Sequence, residues 1–406
     1  MEEASSRRVI PYGFHSISEA DCSAVLETLR SSYLTGGSQV AAFEEEFAAF
    51  VGAKYAVAVS NGTTALHLAM RVAGIGPGDR VITSPNTFLA SANCAAYVGA
   101  TPDFADIDPG DYTLSPDSLE SVYQPDCRAV IPVAHGGQSA DMPAIAAFAR
   151  SHDMLIIEDG CHGPGGGFLH DGSVHLTGGH QWADMTTFSF HPVKSMTTGE
   201  GGMIVTNNRS FAEKARLLRN HGMERSKENF TTFGRETDPL FEEGPWVYEM
   251  QDLGYNYRIT DFQCALGRTQ LQRLPEFIRK RREIVARYNE AFADLPWLTT
   301  PGLRNEADRD HISWHLYTVQ IDFGGLRQSR SSVMNRLREQ GVGSQVLYIP
   351  IYLQPWYRET YGYGPGKCPN AEAYYQRCLS LPLFPELTEA EQQTVIDTIR
   401  QLPESP

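Results

Sequence analysis

The chain has 406 residues, 41% of them hydrophobic and 20% charged, with a formal net charge of −15. That length supports a large core and predicts roughly two domains, or one large domain with an appendage. The negative charge argues against broad nucleic-acid binding but leaves room for a phosphorylated small ligand, which a few backbone amides can hold. Seven scattered cysteines with no CxxC pair argue against a disulfide framework or a zinc site, so no metal is expected. No apolar run reaches the length of a membrane span, and Met1-Glu-Glu-Ala-Ser-Ser-Arg-Arg lacks the apolar centre of a signal peptide. A cytoplasmic location is the expectation.

Residues 19–30 and 40–50 place apolar side chains at helical spacing, with a loop through Thr35 between them. Tyr55 to Ser60 reads as a buried strand that runs through Asn61-Gly-Thr-Thr into an amphipathic helix from Ala65 to Val72. Strand, Gly/Thr turn, helix is an anion-binding arrangement, because free amides and the helix dipole face the same point. The same Asn and Thr residues are also ordinary N-caps, so the turn alone does not decide.

Further strands are expected at Arg80 to Thr83, Thr101 to Asp106, Ala129 to Val133 and Met154 to Glu158, with helices at Leu89 to Val98 and Met142 to His152. This alternation predicts an α/β fold whose mainly parallel sheet is covered on both faces, with sites at the C-terminal strand ends. Polar elements fall at three such ends: Ser84 to Phe88, His135 to Gln138, and Glu158 to His162. Asp159 there is either a helix N-cap or a carboxylate that holds a proton on a ring nitrogen. Phe88 is either core or a face for a planar ligand.

The segment from Asp184 to Asn207 holds two β-rich runs, Thr186 to Phe190 and Gly202 to Thr206, around a polar turn that carries Lys194. Pro192 and the following glycines stop either strand from continuing. A lone lysine is ordinarily a solvated charge; beside Ser189, His191 and a Gly-rich tail it is also a candidate amine for a reactive carbonyl. Past it come a helix from Ala212 to Asn220 and a long loop, 221–244. A helix through Leu271 follows, then a second one, Phe277 to Leu295, beyond Pro275. Strand-like Trp314 to Phe323 and Gln345 to Pro350, a helix from Ser331 to Gln340 and a last helix from Thr388 complete the chain. The expected division is an N-terminal arm with a large domain, 1–271, and a small C-terminal α/β domain, 272–406.

Taken together, a phosphate-binding turn, an aromatic face, a carboxylate ending a strand and a lysine about 35 residues later resemble the fold-type I pyridoxal-phosphate transferases. Ser60-Asn-Gly-Thr-Thr-Ala-Leu-His-Leu-Ala, Phe190-His-Pro-Val-Lys-Ser-Met-Thr-Thr-Gly-Glu-Gly-Gly and Gly254-Tyr-Asn-Tyr-Arg narrow the resemblance to the DegT/DnrJ/EryC1/StrS sugar aminotransferases. It spans essentially the whole chain. Tyr248-Glu-Met-Gln-Asp-Leu-Gly and Ser344-Gln-Val-Leu-Tyr-Ile-Pro-Ile-Tyr are most similar to the branch serving pseudaminic acid synthesis.

What the resemblance implies is specific. Pyridoxal 5'-phosphate would be the cofactor, with Lys194 its covalent anchor and proton carrier, Asp159 the ring-nitrogen partner and His162 a contact near the phenolic oxygen. Phe88 would stack on the ring, and Gly62, Thr63 and Ser189 would bind the phosphate. Asn256 would reach the phosphate of the neighbouring subunit, which makes a homodimer with shared sites. Tyr12, Thr35, His315 and Tyr317 would line the sugar-nucleotide pocket. The implied reaction moves an amino group from L-glutamate to C4 of a UDP-linked 4-keto-6-deoxy sugar. Alternatives are another nucleotide-linked keto sugar, or a cofactor-binding regulator without turnover. Leu347 stands where relatives often have histidine, and 160–167 is unusually rich in glycine and proline; both bear on the sugar, not on the reaction class.

Overall fold

The computed structural model describes residues 9–231 and 244–404. Helices α1 (Glu19–Leu29) and α2 (Ser38–Val51) precede strand β1 (Tyr55–Val59) and helix α3 (Gly62–Ala73). Strands and helices then alternate: β2 (Arg80–Thr83), α4 (Ala90–Tyr97), β3 (Thr101–Phe104), α5 (Pro116–Val122), β4 (Cys127–Ile131), α6 (Met142–Ser151) and β5 (Leu155–Asp159). A hairpin of β6 (Gly167–His170) and β7 (Ser173–Leu176) leads to β8 (Met185–Ser189), β9 (Gly202–Thr206) and α7 (Arg209–Arg219).

Seven of these strands form one sheet in the order β1-β9-β8-β5-β4-β2-β3. All its pairings are parallel except the two made by β9, which runs against both β1 and β8. The strands are buried almost throughout, as expected where helices cover both faces and the sequence reads as apolar runs. A mainly parallel α/β sheet is therefore what the alternation predicted. The expected loop 221–244 opens with a short pairing of β10 (Met223–Glu224) and β11 (Glu249–Met250). Its stretch 232–243 lies outside the described residues.

One expectation fails at Pro275. The two helices anticipated around it are a single helix, α8 (Asp261–Phe292), with the proline inside. Proline forfeits one backbone hydrogen bond, but Leu271, Leu274, Phe277 and Ile278 bury one continuous face across it, and that packing outweighs the loss. Beyond α8, β12 (Leu298–Thr299), β13 (Tyr317–Ile321) and β14 (Cys378–Leu381) form a second sheet. Helices α9 (Arg330–Glu339), α10 (Pro355–Tyr361), α11 (Pro369–Arg377) and α12 (Glu389–Arg400) surround it.

The strand expected over Gln345 to Pro350 is absent. Only Gln345 pairs, with Ser380, and residues 345–349 line a cavity instead. Two cores part along α8: one around Phe43, Phe47, Phe190 and Leu274, the other around Tyr288, Val319, Leu337 and Ile396. The parting falls between Ile278 and Ile284 of α8, so we propose that the division expected at 271/272 lies a few residues further on, with α8 crossing it unbroken. Ile10 of the N-terminal arm packs into the second core.

Candidate active site

The C-terminal ends of β1, β5 and β8, with the loops after β2 and β4, open onto one cavity of about 850 Å³. This is the crevice where open α/β sheets place their ligands, and its volume suits a small-molecule site. Lys194, Asp159 and His162 line it. So do Gly62, Thr63, Phe88 and Ser189, and so do Tyr12 and His315. Nine of the twelve residues singled out from the sequence thus converge from six separate stretches of chain.

Local chemistry explains each position. Asn61 caps α3 by accepting the Thr64 N–H at 2.8 Å, while Thr64 Oγ1 accepts the Asn61 N–H at 3.1 Å. The capping box turns the chain sharply and leaves the amides of Gly62 and Thr63, in the first helical turn, without intrahelical acceptors. They face the cavity with the positive end of the helix dipole. A Cβ on Gly62 would lie 2.8 Å from Ser189 Cβ, and one on Gly202 2.4 Å from the Asn61 carbonyl oxygen. Glycine at both positions lets β8, β9 and the start of α3 close around this point.

Asp159 ends β5, only 4% exposed. Its Oδ2 accepts from Ser91 Oγ at 2.6 Å and its Oδ1 from the Cys161 N–H at 3.1 Å. Since the Ser91 hydroxyl donates to Asp159, the 2.8 Å contact of Ser91 with Thr87 has Thr87 as donor. A buried carboxylate is thereby satisfied from below and remains available at the cavity floor. Lys194 sits on the turn after β8, its N–H bonded to the His191 carbonyl. Burial pushes its amine below the ordinary lysine value, with Cys161 and the charge of Asp159 opposing. Burial thus shifts the amine toward its unprotonated, nucleophilic form.

His162 accepts the Gly136 N–H at Nδ1, 3.3 Å away, and its Nε2 lies 3.4 Å from the Tyr348 hydroxyl. Those contacts describe a neutral ring carrying its proton on Nε2. Its pKa is held well below the usual histidine value by burial, then by the neighbouring Lys194, His315 and His135. The His315 ring packs 4.3 Å from it. Tyr348, whose ring is stacked on His162 at 6.3 Å, was not singled out from the sequence, nor were Ser91 and Cys161. Ser91 and Tyr348 meet their partners across 68 and 186 residues of chain, and no spacing signal links them. Cys161 is different: it stands between Asp159 and His162, and that adjacency could have marked it.

Three residues do not line the cavity. Thr35 is exposed and paired with Thr260. Asn256, also exposed, pairs with Asn220. Tyr317 was expected in the sugar-nucleotide pocket and is instead core. From Tyr317 the chain joins β13, and the ring turns away from the cavity onto Tyr288, 4.8 Å off, with its hydroxyl donating to Asn289 at 2.8 Å. Its neighbour Leu316 takes the cavity position.

The sequence pattern of the DegT/DnrJ/EryC1/StrS aminotransferase family matches residues 15–400. The chain belongs to this family. It is 40% identical over 398 residues to the spore coat polysaccharide biosynthesis protein SpsC of Bacillus subtilis, covering 97% of each chain. Among solved structures it is similar to PseC of Helicobacter pylori, an aminotransferase involved in the biosynthesis of pseudoaminic acid. The TM-score is 0.86 at 28% identity, over 98% of this chain and 100% of that one. Spr1654 of Streptococcus pneumoniae, solved in PMP and PLP forms, matches with a TM-score of 0.86 at 27% identity, over 98% of each chain in the PMP form.

A DegT/DnrJ/EryC1/StrS aminotransferase is pyridoxal-phosphate dependent, and the cavity fits that cofactor. The amides at the start of α3 and the Ser189 hydroxyl suit a phosphate. Asp159 suits a protonated ring nitrogen, Phe88 offers an aromatic face, and Lys194 is an amine lining the same space.

Proposed function

We propose that the chain transfers an amino group from L-glutamate to C4 of a nucleotide-linked 4-keto-6-deoxy sugar, with UDP-2-acetamido-2,6-dideoxy-β-L-arabino-hexos-4-ulose as the acceptor. The observation that carries the reading is that a half-buried amine, Lys194, and a buried carboxylate, Asp159, line one cavity of about 850 Å³. Likeness to PseC supports the choice of acceptor. So does the cavity wall of Val346, Leu347 and Ile349, an apolar surface suited to a sugar whose sixth carbon is a methyl group.

Bound pyridoxal phosphate supplies the carbonyl that carries nitrogen and the ring that withdraws electrons. The protein residues do the rest. Gly62 and Thr63, through their amides, and Ser189 would grip the phosphate, and Asp159, held by Ser91, would keep the ring nitrogen protonated. Lys194 Nζ takes the proton that the glutamate α-carbon loses, and in the second half-reaction delivers one to C4 of the sugar. His162, kept neutral, would donate a hydrogen bond through Nε2 without adding charge. Both substrates use one site in turn, so ping-pong kinetics follow. We further propose a homodimer in which Asn256 completes the partner's phosphate site, since in its own subunit it lies outside the cavity.

A second acceptor is favoured by one observation. SpsC, at 40% identity, is a spore coat polysaccharide protein, which supports a different keto sugar on the same cofactor machinery. The test is transfer of ¹⁵N from labelled L-glutamate to a panel of UDP- and dTDP-linked keto sugars, read by mass spectrometry. Label on the named acceptor above all others is the expected result. Preference for another sugar would replace the acceptor and keep the reaction.

A further inference from the structure

Behind the Lys194 turn lies a second, much smaller cavity of about 10 Å³, about the room that a single small particle needs. Arg281 of α8, Ser195, His15 and Lys194 line it, walled by Phe14 and Phe277. Arg281 is 1% exposed and Ser195 3%. Arginine is almost never fully buried unless paired, yet Arg281 has no carboxylate partner among the described residues. Its Nη1 donates to the carbonyls of Leu383 at 3.1 Å and His315 at 3.5 Å. Its Nε has no partner, and neither has Ser195 Oγ, which lines the same space. Burial pushes the guanidinium down to about 10, so it is still charged at neutral pH.

Every ionisable group on the cavity wall is a cation or can become one: Arg281, Lys194 and His15. No Asp or Glu lines it. Acids that bond the residues around it are engaged with other groups, Asp21 with Arg273 at 2.7 Å and Glu386 with Ser16 at 2.7 Å. An uncompensated charge at such depth is strongly destabilising. A water would satisfy the two orphan donors without answering the charge; an anion does both.

We propose that this cavity binds one small monovalent anion, a halide, between Arg281 Nε and Ser195 Oγ. The anion neutralises the buried guanidinium of Arg281 behind the cofactor site and pins Ser195, the residue next to Lys194. It also offsets the field of Arg281 on His315, which helps hold that ring below its ordinary pKa. The site is distinct from the phosphate grip at the start of α3 and shares only Lys194 with the large cavity.

The test uses cofactor-loaded, full-length protein. Thermal melting is followed in gluconate buffer and in chloride or bromide at matched ionic strength, with sulfate as a doubly charged control. Crystals grown in bromide are measured at its absorption edge. We expect a halide-specific rise of at least about 2 °C in Tm, growing with halide concentration, and an anomalous peak beside Arg281 Nε. Arg281→Met should melt independently of halide. If that variant does not fold, Ser195→Ala carries the test and should need more halide for the same rise. Equal melting in chloride and gluconate, or bromide peaks elsewhere with none beside Arg281, would overturn the proposal.

Discussion

At the residue scale, the site depends on groups forced into a charge state by burial. His135 is pushed down to about 4, and His162 and His315 lie well below the ordinary histidine value, burial being the first cause in each. All three are neutral in the folded protein near neutral pH. In the unfolded chain they take up protons near the ordinary value of about 6.5. The unfolded state then binds more protons, so their contribution to stability is present above about pH 6.5 and fades as pH falls through the folded values. For His135 alone the difference corresponds to about 3 kcal/mol. Urea unfolding between pH 7 and 4.5 should show a falling midpoint, and His135→Asn should flatten part of that fall. A midpoint independent of pH would contradict the neutral-ring account. Lys194 and Asp159 were legible in the sequence because a lysine on a Gly-rich turn and an acid ending an apolar strand are local patterns. Ser91 and Tyr348 were not, since only the fold brings them to Asp159 and His162.

At the element scale, most of the sheet and its helices could be read from apolar runs and their spacing. The exceptions have physical causes. Pro275 reads as a stop because proline forfeits a hydrogen bond, yet α8 continues since Leu271, Leu274, Phe277 and Ile278 bury one face across it. Proline in a helix interior costs up to about 3 kcal/mol, and Pro275 is solvent-exposed. Replacing Pro275 with Ala should therefore stabilise the protein by about 1–3 kcal/mol in urea melts, without loss of helical circular dichroism. A destabilised variant would mean that the proline is accommodated by a kink the packing needs. Gln345 to Pro350 misled in the opposite direction: its β-branched and aromatic residues look like a strand, but residues 345–349 line the cavity. Tyr317 misled for a similar reason, since one strand step separates the cavity position of Leu316 from the core.

At the scale of the whole molecule, family membership and collinearity set the reaction class, while the proposed sharing of sites between subunits rests on Asn256. If Asn256 completes the partner's site, Lys194→Ala and Asn256→Ala should each be nearly inactive alone. A mixed dimer of the two has one site carrying both defects and one carrying neither. Subunit exchange of equal amounts should then restore up to about a quarter of wild-type activity, the share expected from random pairing of a two-fold dimer. Failure of exchanged dimers to regain activity would count against shared sites and leave the single-chain chemistry untouched.

The most direct measurement is the absorbance spectrum of the pyridoxal-phosphate-loaded protein as L-glutamate and then a UDP-4-keto-6-deoxy sugar are added. Wild type should lose its visible band with glutamate and recover it with the sugar, whereas Lys194→Ala should do neither. A band that forms in wild type but that no amino acid bleaches would contradict amino transfer, and the cavity would then belong to a protein that holds the cofactor without turning it over.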